Sequence, residues 1–456
     1  MKVVKFGGSS LADGEHFQSV INIIKDDDER KAIVLSAPGK RFDNDTKVTD
    51  LLVNYANEVI NDKNYLTTVK KIVKRYNEIS EYFHLNHNVI ATIEAILNDL
   101  PNQNYLNNEF LMATFKAHGE KLSAFLMNEI LNELDIPAVF MDPCKIGIIV
   151  SNNPQNANIL PETYTNLHKI KITNKKLIFP GFFGVTKHNE IATFARGGSD
   201  ITGSIIAKGL NADLYENFTD VNAIYSANPK IVSNPAPIKK MTYREMRELA
   251  YAGFAVFNDE AIIPVVDANI PINVKNTNNP NAKGTMIVPS ENFIPKKIIT
   301  GVTSSKHFLG LYIHKYLLNK EVGFTLKILQ ILYKYNVSYE HMPSGIDDLT
   351  IIFDSNQLNN ELMNQIKQEI IQEINPDKIN WIKDYAIIMI VGEGLSINPS
   401  TIEKIFKPLV DNDIRIHMIN QGASKISTML GTNNADADRA VELIYQHFFD
   451  NNALNL

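Results

Sequence analysis

The chain has 456 residues, 44% of them hydrophobic and 21% charged, which suits a globular protein of more than one domain. Its 45 basic and 51 acidic residues give a formal charge of -6, which argues against a general nucleic-acid footprint. The single cysteine, Cys144, excludes an intramolecular disulfide and a multi-cysteine metal site. With no membrane-length apolar run and no signal-like opening, a cytoplasmic protein without membrane partners is expected.

The opening "MKVVKFGGSS" reads as a buried strand through Val3, Val4, Lys5 and Phe6 that breaks at Gly7 and Gly8. Glycine lets a ligand approach the main chain closely, and amides at such a turn can face an anion. A helix starting after Ser9 or Ser10 would add to that attraction. The motif lacks the spacing of a Walker loop or a dinucleotide fingerprint, so alone it leaves an ordinary glycine turn open. "KDDDER", at Lys25 to Arg30, reads as a solvated helix end or loop, and "KAIVLS" as a second short strand broken by "APGK".

From Asp50 to about Leu134 the apolar spacing is helical. Strand-like runs return in "PAVFMD", "KLIFPGFFGV", "EIATFA", "ADLYENF" and "PINVKN", a mixture that predicts an α/β sandwich with ligands at strand ends. Cys144, beside Pro143, reads as a packing residue ahead of a reactive one.

In "FARGGSD", Phe194 to Asp200, Arg196 is suited to clamp a carboxylate with two parallel hydrogen bonds. The small, apolar "ITGSIIAKGL" that follows predicts a buried helix with Gly198, Ser199 and Asp200 near its start, where Asp200 could simply be a cap. In "ENFTDVNAIYSANPKIV", Thr219 and Asp220 follow a strand, and Tyr225 and Lys230 offer an aromatic face and a cation. Individually these are common core or surface residues. Combined with the glycine turn they describe a nucleotide site in two pieces.

Beyond "NFIPKKIITGVTSS" two segments align at a constant offset of 77 residues, "LKILQILYKYNVSYEHMPSGIDDLTIIF" from Leu326 and "EKIFKPLVDNDIRIHMINQGASKISTML" from Glu403. Gly345 meets Gly422, and each copy reads helix, strand, turn, strand, so the tail is two copies of one α+β module.

"KFGGSS", "KVTDLL", "AHGEKLSAFL", "FARGGSD" and "TDVNAIYSANPKIV", in this order, resemble the signatures of the aspartate kinases, members of the amino acid kinase superfamily, and the tail is similar to their tandem ACT domains. The resemblance spans nearly the whole chain. It implies an amino acid kinase-like three-layer αβα sandwich over residues 1–298, then two α+β, ferredoxin-like ACT modules over 299–382 and 383–456, with interleaving of segments allowed.

The same resemblance implies transfer of the γ-phosphoryl of ATP to the side-chain carboxylate of L-aspartate. Lys5 and Asp200 would be catalytic, with Lys5, Gly7, Gly8, Ser9, Thr219, Asp220, Tyr225 and Lys230 on the nucleotide. Thr49, Glu120, Phe182, Arg196 and Ser199 would hold aspartate, with Arg196 on its α-carboxylate and Glu120 on its ammonium. Magnesium would be carried by ATP, without a metal site of the protein's own.

Ser344, Gly345, Ile346, Asp347 and Asp348, with "NKEVGF" opposite, are similar to the effector site of lysine-sensitive members. Lysine is the first expected effector and threonine the second, acting on a homodimer formed through the ACT modules. A plain hairpin turn is the competing reading of that stretch. The chain closes soon after the second module, so no fused homoserine dehydrogenase is expected.

One departure stands out. Many family members carry "GAKVLHP" where this chain has Gly253 to Asp259, and the lysine position holds Ala255. Ala255 points to a catalytically silent amino acid sensor as the competing function; a kinase for glutamate or its N-acetyl form is the alternative among enzymes, against which the tandem tail and the pairing of "FARGGSD" with "TDV...Y" argue. His118 invites an acid/base role, but a carboxylate already ionised near neutral pH needs no general base, so His118 reads as structural.

Overall fold

The computed structural model describes residues 1–195, 197–251, 253–254, 259–397 and 400–450, and it divides into two compact units. The first holds residues 1–224, 237–246 and 255–293; the second holds 225–236, 247–254 and 294–456.

The opening strand is β1 (Lys2–Phe6), followed by a short 3-10 turn at Gly8–Leu11 and then α1 (Gly14–Lys25). The helix starts later than expected because the Asp13 carboxylate caps it, accepting the His16 backbone N–H at 3.0 Å. Next come β2 (Arg30–Leu35), α2 (Val48–Ile60), α3 (Leu66–Tyr82), α4 (His87–Asp99) and α5 (Asn108–Glu133). They are followed by β3 (Ala138–Phe140), α6 (Pro143–Ile146), α7 (Glu162–Leu167), β4 (Lys176–Pro180), β5 (Phe183–Val185), β6 (Ile191–Thr193), α8 (Gly198–Gly209) and β7 (Leu214–Thr219). The run ends with β8 (Lys240–Thr242), α9 (Tyr243–Tyr251), α10 (Ile263–Asp267), β9 (Ile272–Asn276) and β10 (Thr285–Val288).

Eight of these strands form one sheet in the order β3-β4-β2-β1-β7-β9-β10-β8, parallel except where β10 meets β9. Helices cover both faces, which is why the central strands are largely buried and rich in apolar residues. On one face Val4, Phe6, Ile33, Leu35, Ile178 and Phe218 pack into a single core with α1 to α5. Residues two apart share a face, so Lys5 points the opposite way from Val4 and Phe6, toward the side that carries α8.

The second unit contains β11 (Gly301–His314), α11 (Phe324–Lys334), β12 (Asp348–Asp354), α12 (Asn360–Ile374), β13 (Lys378–Val391), α13 (Thr401–Val410), β14 (Met418–Asn420), β15 (Ser427–Thr432) and α14 (Asn434–Tyr445). Its sheet runs β12-β11-β13-β15-β14, and β11 and β13 pair along nearly their whole length. One core gathers Leu311 and Ile313 with α11, β12 and α12; the other gathers Val302, Ile388 and Ile390 with α13 and α14. The repeated modules therefore share two long strands, and the expected boundary at 382/383 cuts through β13.

The boundary at 298/299 is likewise too simple. Ala227 and Val232 belong to the core of Val302 and Ile390, and the Ala236 backbone N–H donates to the Tyr445 hydroxyl at 2.8 Å. The second repeat follows the expected order of helix, strand, turn and strand, and the first departs from it. The second has β14 before its turn, whereas the first has only isolated bridges, His341 to Ile352 and Ser344 to Leu349. Pro343 lies between them and has no N–H to extend a ladder.

Candidate functional site

At the carboxyl end of β1 the Lys5 side chain, 8% exposed, places its Nζ 2.8 Å from Asp200 Oδ1. Asp200 is not the helix cap that the sequence allowed. Its carboxylate also accepts from Asn217 Nδ2 at 2.6 Å, so β1, β7 and the first turn of α8 meet at one carboxylate oxygen. Asn217 carries no motif and is found only through the register that puts it beside Lys5.

The glycine turn sits against the loop after β2. The Gly39 N–H donates to the Gly8 carbonyl at 2.8 Å, and a Cβ on Gly39 would stand 2.5 Å from that same oxygen. Only glycine permits this approach, which leaves Gly7 and Gly8 half-buried and Ser9 exposed at the strand end. Ser10, beyond them, is held by a 2.7 Å hydrogen bond between its hydroxyl and that of Thr277. Thr219, at the end of β7, donates to the exposed Asp220 carboxylate at 3.1 Å.

A second group lies on α5 and its neighbours. Glu120 is 6% exposed, its Oε2 has no hydrogen-bond partner among the described residues, and burial pushes its carboxyl up to about 8 against the opposing pull of the Ala37 backbone N–H. A Cβ on Gly119 would stand 2.7 Å from the Ala37 side chain and 3.2 Å from Leu52, so this glycine lets α5 close on α2. Thr49, half-buried, occupies the first turn of α2, one turn before Leu52.

Phe182 holds a φ of 77°, a left-handed backbone that costs a bulky residue on the order of 1–3 kcal/mol and tends to mark functional sites. Its N–H donates to Thr202 Oγ1 at 2.9 Å, and its carbonyl accepts the Phe194 N–H at 2.8 Å. Its ring lies against Gly198, and Ser199 packs on Gly181. Lys116, one helical turn before Glu120, places its Nζ 5.7 Å from the centre of the Phe182 ring and was not signalled by any motif. Arg196 and Ala255 lie outside the described residues.

His118 is buried, with Nδ1 2.8 Å from the Thr114 carbonyl, and burial lowers its pKa to about 4, so it is a neutral, hydrogen-bonded core residue. Cys144 is exposed rather than packed, because α6 is a short surface turn. Among the described residues no group of three or more His, Cys, Asp or Glu side chains is placed to hold a metal ion, and no helix is long and apolar enough to cross a membrane.

In the second unit, Tyr225 is half-buried and Lys230 exposed on the segment 225–236. The expected effector turn is built from satisfied polar groups. The Asp347 carboxylate accepts the Leu317 N–H at 2.8 Å, and the Ile346 carbonyl accepts the Asn319 N–H at 3.1 Å, which brings "NKEVGF" against the turn. Asp348 accepts from the Tyr312 hydroxyl and lies 2.8 Å from His314 Nδ1, and these two bonds hold its carboxyl below the ordinary carboxylate value. The Gly345 N–H donates to the Asp348 carbonyl at 2.7 Å, while Ser344 and Ile346 are exposed.

A mainly parallel sheet with a lysine–aspartate pair at its strand ends, in a unit that also buries a carboxyl on α5, suits a small-molecule kinase scaffold. The amino acid kinase family matches residues 1–276, and the ACT domain matches 388–448. Aspartokinase 3 of Bacillus subtilis (strain 168) is 44% identical over 449 residues, covering 98% of this chain and 99% of that protein. The solved structure of Clostridium acetobutylicum aspartate kinase superposes with a TM-score of 0.88 at 37% identity, covering 98% of this chain and 100% of that one. E. coli aspartokinase III, solved in complex with aspartate and ADP, shares the fold at a TM-score of 0.75 and 22% identity, over 98% of this chain and 100% of that one. The chain belongs to the amino acid kinase family and, within it, to the aspartokinases.

Proposed function

We propose that the chain transfers the γ-phosphoryl of MgATP to the side-chain carboxylate of L-aspartate, giving 4-phospho-L-aspartate and ADP, with the site residues acting as follows. The observation that carries the reading is the Lys5–Asp200–Asn217 cluster at the end of β1. Asp200 and Asn217 aim the Lys5 ammonium, with Gly7 against it and the amides of Gly7, Gly8 and Ser9 taking the nucleotide phosphates. Together they offset the charge of the transferred phosphoryl, as does the magnesium that enters with the nucleotide. Thr219 and Asp220 flank the nucleotide. For Tyr225 and Lys230 the same role rests on sequence resemblance alone.

Glu120 takes the aspartate ammonium on its unpaired oxygen, Thr49 and Ser199 bond its polar groups, Phe182 walls the pocket and Arg196 clamps the α-carboxylate. The acceptor carboxylate is already ionised near neutral pH, so alignment and charge neutralisation suffice and no protein base is needed.

The second unit serves as the sensor, with Ser344 to Asp348 as the effector turn of a homodimer and lysine ahead of threonine as its ligand. E. coli aspartokinase III was also solved in complex with lysine and aspartate in a T-state, which supports lysine. An effector inhibits by favouring the arrangement in which the kinase site is less competent. The experiment is ADP release from MgATP with L-aspartate, L-glutamate or N-acetylglutamate as acceptor, with and without lysine or threonine. Turnover with aspartate alone, suppressed by lysine, is expected. Absence of turnover with every acceptor would move the chain to the silent-sensor reading.

A further inference from the structure

Arg75, on α3, is 4% exposed and makes contacts that no motif announced. Its Nη1 donates to Asp45 Oδ2 and to the Thr46 carbonyl, both at 2.9 Å, and its Nη2 donates to the Ala12 carbonyl at 3.1 Å and the Gly39 carbonyl at 2.7 Å. One guanidinium therefore ties the end of the turn after β1, at Ala12, to two points, Gly39 and Thr46, of the loop that joins β2 to α2. Five donors in a rigid planar fork suit this task, and a lysine point charge cannot reproduce it.

Each tied segment leads directly into the proposed machinery. Ala12 closes the 3-10 turn that begins at Gly8. Gly39 donates to Gly8 and lies two residues beyond Ala37, whose N–H meets the Glu120 carboxylate. Thr46 lies three residues before Thr49, and Val48, between them, donates its N–H to the Pro38 carbonyl at 3.2 Å. A buried cation held by one carboxylate and three carbonyls is costly to assemble, and interior hydrophobic packing would stabilise the fold as well.

We propose that Arg75 is a positioning residue that sets the nucleotide turn and the acceptor pocket relative to each other. The inference rests on the site assignment given above. It predicts a coupled loss: removing the guanidinium weakens both ligands at once, although Arg75 touches neither proposed set of binding side chains.

The test compares Arg75→Met, Arg75→Lys and Arg41→Met with the wild-type chain by calorimetric titration of ADP and of L-aspartate, by KM and kcat, and by thermal melting. Arg41 is the control because it bonds the same Asp45 carboxylate, with Nε 2.8 Å from Oδ2, but ties none of these three carbonyls. The expected result is at least a fivefold weakening of both ligands in Arg75→Met, an intermediate value in Arg75→Lys, and less than a twofold change in Arg41→Met.

A merely structural role would lower the active fraction and kcat per mole of protein while leaving both affinities and both KM values unchanged, and that outcome overturns the proposal. If Arg75→Met does not fold, Arg75→Lys and Asp45→Asn carry the same criterion. A wild-type chain that binds neither ADP nor aspartate overturns the functional reading itself. Wild-type binding with unaltered affinities in the Arg75 variants overturns only this inference.

Discussion

The proposed acceptor pocket and the proposed effector turn both present carboxyl groups, yet in opposite states. Glu120 is buried, lacks a partner on one oxygen among the described residues and is pushed up to about 8. Asp347 and Asp348 are half-buried and already bonded, to the Leu317 N–H and to Tyr312 and His314. A cationic group entering the pocket relieves an uncompensated group and needs no bond to break. At the turn the same cation must compete for bonds already made, and this exchange of partners is how a ligand shifts a conformational equilibrium. The first site suits binding within a fixed frame, the second suits switching.

The largest effect expected is at the catalytic pair. Lys5→Ala should lower kcat about 10²- to 10³-fold, the range for removing one preorganised transition-state donor. Steady-state ADP release checks this, and an unchanged kcat would remove Lys5 from the mechanism.

Glu120→Gln sharpens the contrast most directly. A lost charge-assisted bond of about 1.5–3 kcal/mol raises the aspartate KM roughly 10- to 150-fold. The same variant should melt higher than wild type at pH 8. The folded chain keeps a proton on Glu120 up to about 8, whereas the unfolded chain loses it near the ordinary 4.5, so the wild type loses stability as pH rises between these values. Melting curves at pH 5 and pH 8 read the slope, which the glutamine variant lacks at this position.

A smaller effect follows from the same titration. The ammonium of aspartate needs the ionised carboxylate, so the wild-type aspartate KM should fall as pH rises and level off above about 8. A KM flat from pH 6.5 to 9 would separate Glu120 from substrate binding.

The smallest effect lies at the turn. Asp348→Asn weakens the bonds to Tyr312 and His314 and should shift the half-inhibiting lysine concentration only several-fold, the scale of one exposed polar interaction. Uninhibited kcat stays at the wild-type value. Inhibition curves at fixed aspartate measure the shift, and an unchanged curve would place the effector elsewhere.

Much of this is legible in the sequence. "KFGGSS" announced the strand and the glycine turn, "FARGGSD" the helix that brings Asp200, and the 77-residue repeat the paired modules. These signals are local: a turn needs glycine where it bends, and a helix shows its apolar period along the chain. Interleaving was allowed for, but that residues 225–236 are the segment involved was not legible, because Ala227 and Val232 look like any loop apolars until Val302 and Ile390 are placed around them. Pro343 could have warned that the first repeat lacks a regular strand before its turn.

The sequence by itself determined the elements, the modules and the family, since periodicity, breakers and ordered motifs are properties of neighbours along the chain. Tertiary structure alone decided that Asp200 answers Lys5 and Asn217 rather than capping its helix, that Glu120 has an oxygen unpaired among the described residues, and that Arg75 ties the turn after β1 to the loop after β2. Hydrogen-bond partners and burial depend on which distant residues share a small volume, and the parallel sheet's crossovers bring those residues together only once the chain is folded.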